Sequence, residues 1–189
     1  MADVQVRPAV AADAGEIARI QRSTWETAYA RIVPAPVLAR LGVPDLAARW
    51  SAAIVAPPSA AHQVLVAFEQ EFPAGFAVVA PAGPDDLAGG YPYDGATTVA
   101  VGPILVEPRW GRRGHGSRLL AAAVDLARGG GARTAVCWVL ERDEASRRFL
   151  TSAGWAGDGT VRELDMDGVP VREVRLHTDL TEEDGRSTT

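Results

Sequence analysis

Residues 106–120 read VEPRWGRRGHGSRLL and place four arginines and three glycines between a strand-like run and a helix-like run. A helix start exposes unpaired backbone N–H groups and carries partial positive charge, so it attracts anions, and glycine lets a phosphate group approach the backbone closely. Each arginine adds charge-assisted hydrogen bonds worth roughly 1.5–3 kcal/mol. The stretch therefore predicts a phosphate-binding turn, and a basic turn that is merely solvated is the alternative.

Two common nucleotide-binding motifs do not fit this turn. Gly111 and Gly116 have the spacing of a nucleotide phosphate loop, but that motif continues with Lys and then Ser or Thr, whereas Ser117 and Arg118 follow here. The chain contains no lysine at any position. The dinucleotide fingerprint G-x-G-x-x-G also fails, because GRRGHG has its glycines at other offsets. The turn therefore belongs to neither of these two classes of nucleotide site.

The segments on either side of the turn predict a strand and a helix. TTVAVGPILVEP, residues 97–108, is β-branched and apolar, but Gly102 and Pro103 interrupt it. Such residues inside a strand indicate a bulge or a close backbone approach. After the turn, apolar residues recur at helical spacing from 119 to 127, and the glycines at 129–131 end the helix. The order strand, turn, helix is the one that anion binding requires.

The C-terminal part predicts a strand, a helix and a hairpin. RTAVCWVL, residues 133–140, reads as a buried strand. Asp143 is expected to cap a helix that Gly154 ends. Residues 161–176 alternate on both sides of Asp167-Gly168, a dipeptide that favours a tight hairpin turn.

The N-terminal part predicts further helices and strands. Residues 4–7 alternate like a short strand, and Asp13 with Glu16 forms a capping box for a helix. The buried face of that helix is expected to consist of Ile17, Ile20, Thr24 and Ala28. The elements that follow are short helices in 34–41 and 44–54, strands in 62–69 and 74–80 with a turn at 70–73, and a loop over 81–95.

Length and composition limit the class of protein. This order of elements predicts an α/β (α+β) fold in a single domain over residues 1–180, followed by a flexible acidic tail over 181–189. The net charge of −5 argues against a general nucleic-acid surface, and no apolar run is long enough to cross a membrane. The single cysteine, Cys137, allows no intrachain disulfide, and no metal site is expected. A cytoplasmic protein is the simplest expectation.

The turn and its surroundings closely resemble the acyl-CoA-binding motif of the GNAT superfamily of N-acetyltransferases. That motif, [Q/R]-x-x-G-x-[G/A], follows a strand ending in V-x-P, as in Val106-Glu107-Pro108 and Gly114-His115-Gly116. WVLERDEASRRFLTSAGW, residues 138–155, resembles the next strand and helix of the family. The resemblance implies a mostly antiparallel central sheet with flanking helices, a splayed central strand pair and acetyl-CoA as co-substrate. The implied cofactor-binding residues are Ile104, Leu105, Val106, Gly111, Arg112, Arg113, Gly114, His115, Gly116, Ser117 and Asp143.

The implied activity is transfer of an acetyl group to a primary amine of a small molecule or peptide by direct attack, and the family resemblance also implies a possible homodimer. Val101 stands where many members place a glutamate base, and Leu150 stands where many place a tyrosine acid. Glu107, Glu141 and Tyr93 are therefore the candidate catalytic residues. Trp25, Tyr29 and Tyr91 are the candidate acceptor-binding residues.

The same departures from the family pattern leave two other interpretations open. Gly111 stands where the motif has Gln or Arg, and Asp143 replaces the usual Asn. A non-catalytic acyl-CoA-binding regulator or partner protein would not need the missing acid and base. An unrelated α/β protein could use the arginine turn to bind another phosphorylated metabolite.

Overall fold

Seven strands and six α-helices follow one another along the residues that the computed structural model describes, 4–89 and 92–181. The strands are β1 (Val4–Pro8), β2 (Gln63–Glu69), β3 (Phe72–Pro81), β4 (Thr98–Val106), β5 (Thr134–Leu140), β6 (Ala156–Met166) and β7 (Val169–Asp179). The helices are α1 (Ala14–Ala28), α2 (Ala35–Ala39), α3 (Val43–Val55), α4 (Pro84–Leu87), α5 (His115–Gly129) and α6 (Glu144–Ser152).

The strands form one sheet in the order β1-β2-β3-β4-β5-β7-β6. Every pair of neighbours is antiparallel except β4 and β5, which run parallel. Only residues 98–100 of β4 pair with 134–136 of β5, so the two strands separate towards their C-terminal ends. The predicted α/β class, the mostly antiparallel sheet and the splayed central pair are all confirmed.

An irregularity in β4 accompanies the separation. Phe76 of β3 pairs with Leu105, whereas Val78 pairs with Gly102, so β4 contains one more residue than β3 over this stretch. An extra residue of this kind is a β-bulge, which bends its strand away from regular pairing. The bulge includes Pro103, as the interruption of the strand pattern predicts.

Helices cover both faces of the sheet. On one face, α1 packs its buried residues Ile17 and Ile20 on Val66 and Phe76 of the second and third strands. On the other face, α5 packs Leu119 and its neighbours on the central strands. Both helices follow the 3.6-residue periodicity of their apolar residues. The gap between β4 and β5 therefore lies between α1 on one side and α5 with α6 on the other.

Three local predictions need correction. The predicted capping box of α1 does not form, because Asp13 accepts a hydrogen bond from Val10 N and pairs with Arg7, and so ends a preceding turn of 3₁₀-helix instead. Ala28, predicted to be buried, is exposed at the end of α1. The predicted loop over 81–95 contains the short helix α4, which begins at a proline suited to a first helical turn.

The hairpin of β6 and β7 turns at Asp167 and Gly168, with φ of 63° and 78°. Positive φ at both central residues is typical of the type I′ hairpin turn that this dipeptide favours. None of the helices within 4–89 and 92–181 has the length and hydropathy that a bilayer crossing requires. The predicted tail lies, apart from Thr181, outside the described residues.

Candidate active site

The turn before α5 presents uncapped backbone N–H groups. Gly114 is the N-cap residue of α5, its φ is 84°, and no side chain caps the helix there. The first N–H groups of a helix have no partner within the helix, so an uncapped start can hold an anion. The left-handed conformation of Gly114 favours glycine, because a β-carbon is strained there.

A cavity of about 410 Å³, which we call the loop cavity, lies between this turn, the end of β4 and the start of α6. It is lined by every implied cofactor-binding residue except Arg113: Ile104, Leu105, Val106, Gly111, Arg112, Gly114, His115, Gly116, Ser117 and Asp143. Arg113 instead lies 3.4 Å from the carboxylate of Glu69 and over the ring of Trp110. The structure therefore brings the implied binding residues together around one cavity.

A second cavity, of about 160 Å³, fills the gap between the separating strands, and we call it the splay cavity. Trp25 of α1 and Tyr29, which directly follows that helix, line this cavity together with Leu140 and Leu164 of the sheet. Five residues line both cavities: Tyr29, Ile104, Leu105, Ser146 and Phe149. The two cavities therefore adjoin, and together they lead from the uncapped end of α5 through the sheet to α1.

His115 lies at the first position of α5 and lines the loop cavity. Its ring is fully buried, and Nδ1 has no hydrogen-bond partner among the described residues. Nε2 lies 2.9 Å from Oε2 of Glu69, which makes an ion pair when the ring is protonated. A buried polar group without a partner costs free energy, so a polar ligand in the loop cavity would compensate for it.

Asp143 caps α6, as predicted, and also faces the loop cavity. Its Oδ1 accepts a hydrogen bond from Ser146 N at 3.1 Å. Burial, followed by the charge of Asp143 and a hydrogen bond to it, raises the pKa of Tyr29, so the phenol is neutral. Tyr29 therefore connects the carboxylate of the loop cavity to the splay cavity.

We expect Asp143→Asn to strengthen the binding of a polyanionic ligand in the loop cavity by about fivefold. The amide keeps an oxygen that can cap α6, and it removes a negative charge that repels the ligand. Calorimetric titration with coenzyme A measures the change. Asp125→Asn, on the outward side of α5, removes the same charge away from the loop cavity and is expected to change the affinity much less. An unchanged or weaker affinity of Asp143→Asn would contradict the placement of the ligand beside Asp143.

Glu107, predicted as a base, lies in an ion-pair cluster with two arginines. Its carboxylate accepts hydrogen bonds from Arg19 at 2.6 Å and from Arg109 at 2.7 Å, and it lines neither cavity. The hydrogen bond from Arg19, helped by the one from Arg109 and opposed by burial, holds the pKa of this carboxyl below its ordinary value. A carboxylate with a lowered pKa is a poor base. Glu107 instead joins α1 to the end of β4.

Glu141 and Tyr93 also lie away from the two cavities. The carboxylate of Glu141 pairs with Arg172 at 3.2 Å, and the hydroxyl of Tyr93 donates a hydrogen bond to Asp158 at 2.6 Å. Neither residue lines the loop cavity or the splay cavity. These contacts of both residues therefore lie outside the two cavities, and their catalytic role stays a prediction.

Two of the three predicted acceptor-binding residues meet at the splay cavity. Trp25 and Tyr29 line it and form an edge-to-face pair with ring centroids 5.8 Å apart. Tyr91 lies outside the described residues. Leu150, in the position of the usual tyrosine, is buried and lines the same cavity with an apolar side chain.

The sequence prediction missed the contribution of the last strands. Trp138, Leu164, Met166 and Glu173 come from β5, β6 and β7 and line the splay cavity. Alternation along β7 places Glu173 on the same face as the buried Val171 and Arg175, which is a signal for an inward carboxylate. That signal does not identify the cavity, because the pairing of β7 with β5 joins distant parts of the chain.

Comparison with known proteins agrees with this geometry. The model of the acetyltransferase (GNAT) family matches residues 25–155. No curated protein matches the sequence. Among solved structures, yncA from Salmonella typhimurium, solved with acetyl-CoA, is 20% identical, with a TM-score of 0.69 and 99% of each chain covered.

Two further solved structures have the same fold at lower identity. The PaiA N-acetyltransferase of Thermoplasma acidophilum, in complex with coenzyme A, is 14% identical, with a TM-score of 0.69, 94% of this chain and 99% of that chain covered. The ribosomal-protein-alanine N-acetyltransferase of Brucella melitensis is 17% identical, with a TM-score of 0.69, 93% of this chain and 99% of that chain covered.

Proposed function

Because the chain belongs to the acetyltransferase (GNAT) family, we propose that it transfers the acetyl group of acetyl-CoA to a primary amine of a small molecule or peptide. The proposal rests mainly on one observation: the loop cavity and the splay cavity lie side by side and share lining residues. The uncapped helix start and Arg112 of the loop cavity suit a phosphate group, and the splay cavity lies between β4 and β5 beside α1. A ligand with a phosphate end and a long arm fits this pair of cavities.

The residues of the loop cavity suit acetyl-CoA. The uncapped N–H groups at the start of α5 and the nearby Arg112 would hold the pyrophosphate. The buried Nδ1 of His115, which has no partner among the described residues, would supply a further polar contact. The apolar arm would follow Ile104 and Leu105, which line both cavities, into the gap between the strands.

The separated strands offer a means to activate the acetyl group. Beyond Ala100, β4 has no pairing with β5 in the described part of the chain. Backbone N–H groups on that side of β4 are therefore available to a carbonyl oxygen in the gap. Hydrogen bonds of this kind stabilise the negative charge that develops on the oxygen during acyl transfer.

Acetyl-CoA supplies a thioester whose carbonyl carbon accepts the amine. The nitrogen of the neutral amine forms the new C–N bond, the C–S bond breaks, and the one proton that the nitrogen loses ends on the thiolate to give the free thiol. A thiol of ordinary pKa, about 8.5, leaves without an acid, so Leu150 does not prevent the reaction. The protein contributes mainly by positioning the amine against the thioester and by polarising the thioester carbonyl.

A transfer assay tests the proposal. The protein is incubated with acetyl-CoA and a panel of primary amines, and release of free thiol is followed against a reaction without protein. We expect amine-dependent release above the spontaneous rate, together with the mass of the N-acetylated product. Binding of acetyl-CoA without transfer to any amine would favour the non-catalytic acyl-CoA-binding protein instead.

A further inference from the structure

The splay cavity has an unusual distribution of charge. Its walls come from α1, β4, β5, α6, β6 and β7 and consist mostly of aliphatic and aromatic side chains. Among the described residues that line it, Glu173 is the one with a charged side chain. Sites for small ligands are mostly apolar, and their few polar groups fix the orientation of the ligand. The position and partners of Glu173 therefore carry information about the acceptor.

Glu173 lies between two strands at the edge of the cavity. It pairs in register with Leu140 of β5 and with Arg162 of β6, and its side chain is 13% exposed. Oε2 accepts a hydrogen bond of 2.6 Å from Arg162 Nε, and no other hydrogen bond to the carboxylate is present within residues 4–89 and 92–181. Acceptor capacity remains, because a carboxylate offers about four lone-pair sites.

Glu173 also lines a more open cavity of about 300 Å³ beside β3 and β4. Trp138, Cys137 and Pro103 line both this cavity and the splay cavity. The carboxylate therefore stands where a route from the surface meets the gap that would hold the thioester. An amine that enters by this route meets Glu173.

The described residues that line the splay cavity include no cationic side chain that could balance the charge of an anionic acceptor. Arg162 lines only the more open cavity, where it is already paired with Glu173 and lies 4.2 Å from the ring centroid of Trp138. Arg175 is fully buried and pairs with Asp158 at 2.6 Å. Within the described lining of the splay cavity there is no arginine or histidine. A carboxylate taken into this cavity would lose its hydration without gaining a counter-ion.

We propose that the acceptor is a primary amine on an uncharged, apolar body, and that Glu173 binds its ammonium group before the amine is deprotonated for transfer. The same arrangement selects against free amino acids, because their carboxylate would meet the apolar wall and Glu173. Attraction for one charge and rejection of the other together give specificity. This inference rests on the proposed acetyl transfer and names the substrate class of that site.

Matched pairs of acceptors test the inference. 2-Phenylethylamine and phenylalanine differ only by the α-carboxylate, as do 3-methylbutylamine and leucine. With the full-length protein and saturating acetyl-CoA, we expect kcat/KM for each amine to exceed that of its amino acid by about a hundredfold. Equal use of the two members of a pair, a preference for the amino acid, or transfer to neither member would overturn the inference.

Variants test the role of Glu173. We expect Glu173→Gln to lower kcat/KM for 2-phenylethylamine by about tenfold, mainly through KM, because a charge-assisted contact is lost. Glu163→Gln removes the same charge from the exposed side of β6 and lines neither cavity, so its kinetics are expected to match the wild type. Equal kinetics of Glu173→Gln and Glu163→Gln would contradict the assignment.

Two further measurements distinguish a misfolded variant from an incorrect inference, and an incorrect inference from an incorrect proposed function. Arg162→Gln removes the neighbouring cation and leaves the carboxylate, so the preference for the amine over the amino acid is expected to persist even if Glu173→Gln does not fold. Loss of activity towards phenylalanine in Arg162→Gln would instead show that Arg162 binds an acceptor carboxylate. The transfer assay with the wider amine panel tests the proposed function: transfer to other amines with the wrong preference within the matched pairs overturns only the inference.

Discussion

Gly114→Glu is expected to weaken acetyl-CoA binding by about a hundredfold, because a like charge then lies at the anion-binding start of α5. Gly114 has a φ of 84° and lines the loop cavity at the N-cap of that helix. An added β-carbon would lie 3.0 Å from a guanidinium nitrogen of Arg118. The glutamate would therefore occupy the phosphate position and also neutralise a nearby arginine. Calorimetric titration with acetyl-CoA measures the loss.

Gly131→Glu is the matched control for this substitution. Gly131 has a φ of 85°, follows the opposite end of α5 and has no neighbour within 4 Å of an added β-carbon. The same backbone strain and charge are thus introduced roughly 22 Å away along the helix. We expect both variants to lose similar thermal stability, and only Gly114→Glu to lose affinity. Full affinity in Gly114→Glu would mean that phosphate is not bound at this turn.

Arg175→Met is expected to lower the free energy of unfolding by about 3–5 kcal/mol, the cost of breaking a buried ion pair by removing one partner. The side chains of Arg175 and Asp158 are both fully buried, and Arg175 Nε lies 2.6 Å from Asp158 Oδ2. Arg175 also donates hydrogen bonds to the backbone carbonyls of Asp86 and Ala88. The substitution would leave a buried carboxylate and these carbonyls with fewer partners. Urea unfolding of the two proteins measures the difference.

Tyr93→Phe removes one hydrogen bond from the same cluster and is expected to cost about 1 kcal/mol without changing turnover. This variant separates the structural role seen here from the catalytic role predicted from sequence, because the hydroxyl of Tyr93 donates to Asp158. A large fall in turnover with unchanged stability would restore the catalytic role. A loss of stability as large as that of Arg175→Met would show that the hydroxyl contributes more to stability than a single hydrogen bond does.

The same cluster makes stability depend on pH. Burial acts to raise the pKa of Asp158, but hydrogen bonds from Tyr93, Thr160 and Arg175 outweigh it and lower the pKa to about 2. A carboxyl whose pKa is lower in the folded than in the unfolded state stabilises the fold above its unfolded pKa, about 3.9, and loses this effect as the pH falls towards 2. The difference in unfolding free energy between wild type and Asp158→Asn should therefore shrink as the pH falls from about 4 to about 2.

Local sequence patterns predicted the parts of the site that are built locally. The turn at Gly114, the interruption of β4 at Gly102 and Pro103, and the cap of α6 at Asp143 each depend on neighbouring residues. The mostly antiparallel sheet was instead implied by the family resemblance. The local patterns and the family resemblance both point to the residues that line the loop cavity.

The splay cavity and the contacts of the predicted catalytic residues could not be predicted from local patterns, because residues distant in the chain build them. Glu107 looked like a free carboxylate after a strand, but Arg19 of α1 neutralises it. Tyr93 looked like a loop residue near the site, but it belongs to the cluster around Asp158. Glu173 reaches the splay cavity only because β7 lies between β5 and β6 in the sheet.

Calorimetric titration of the protein with acetyl-CoA, beside ATP as a control for generic phosphate binding, tests the central claim most directly. Both ligands carry phosphate, but only acetyl-CoA has an arm that reaches from the loop cavity into the splay cavity. We predict saturable binding of acetyl-CoA and at most weak binding of ATP. Equal binding of both ligands, or no heat with acetyl-CoA at millimolar concentration, would contradict a cofactor site formed by the two cavities.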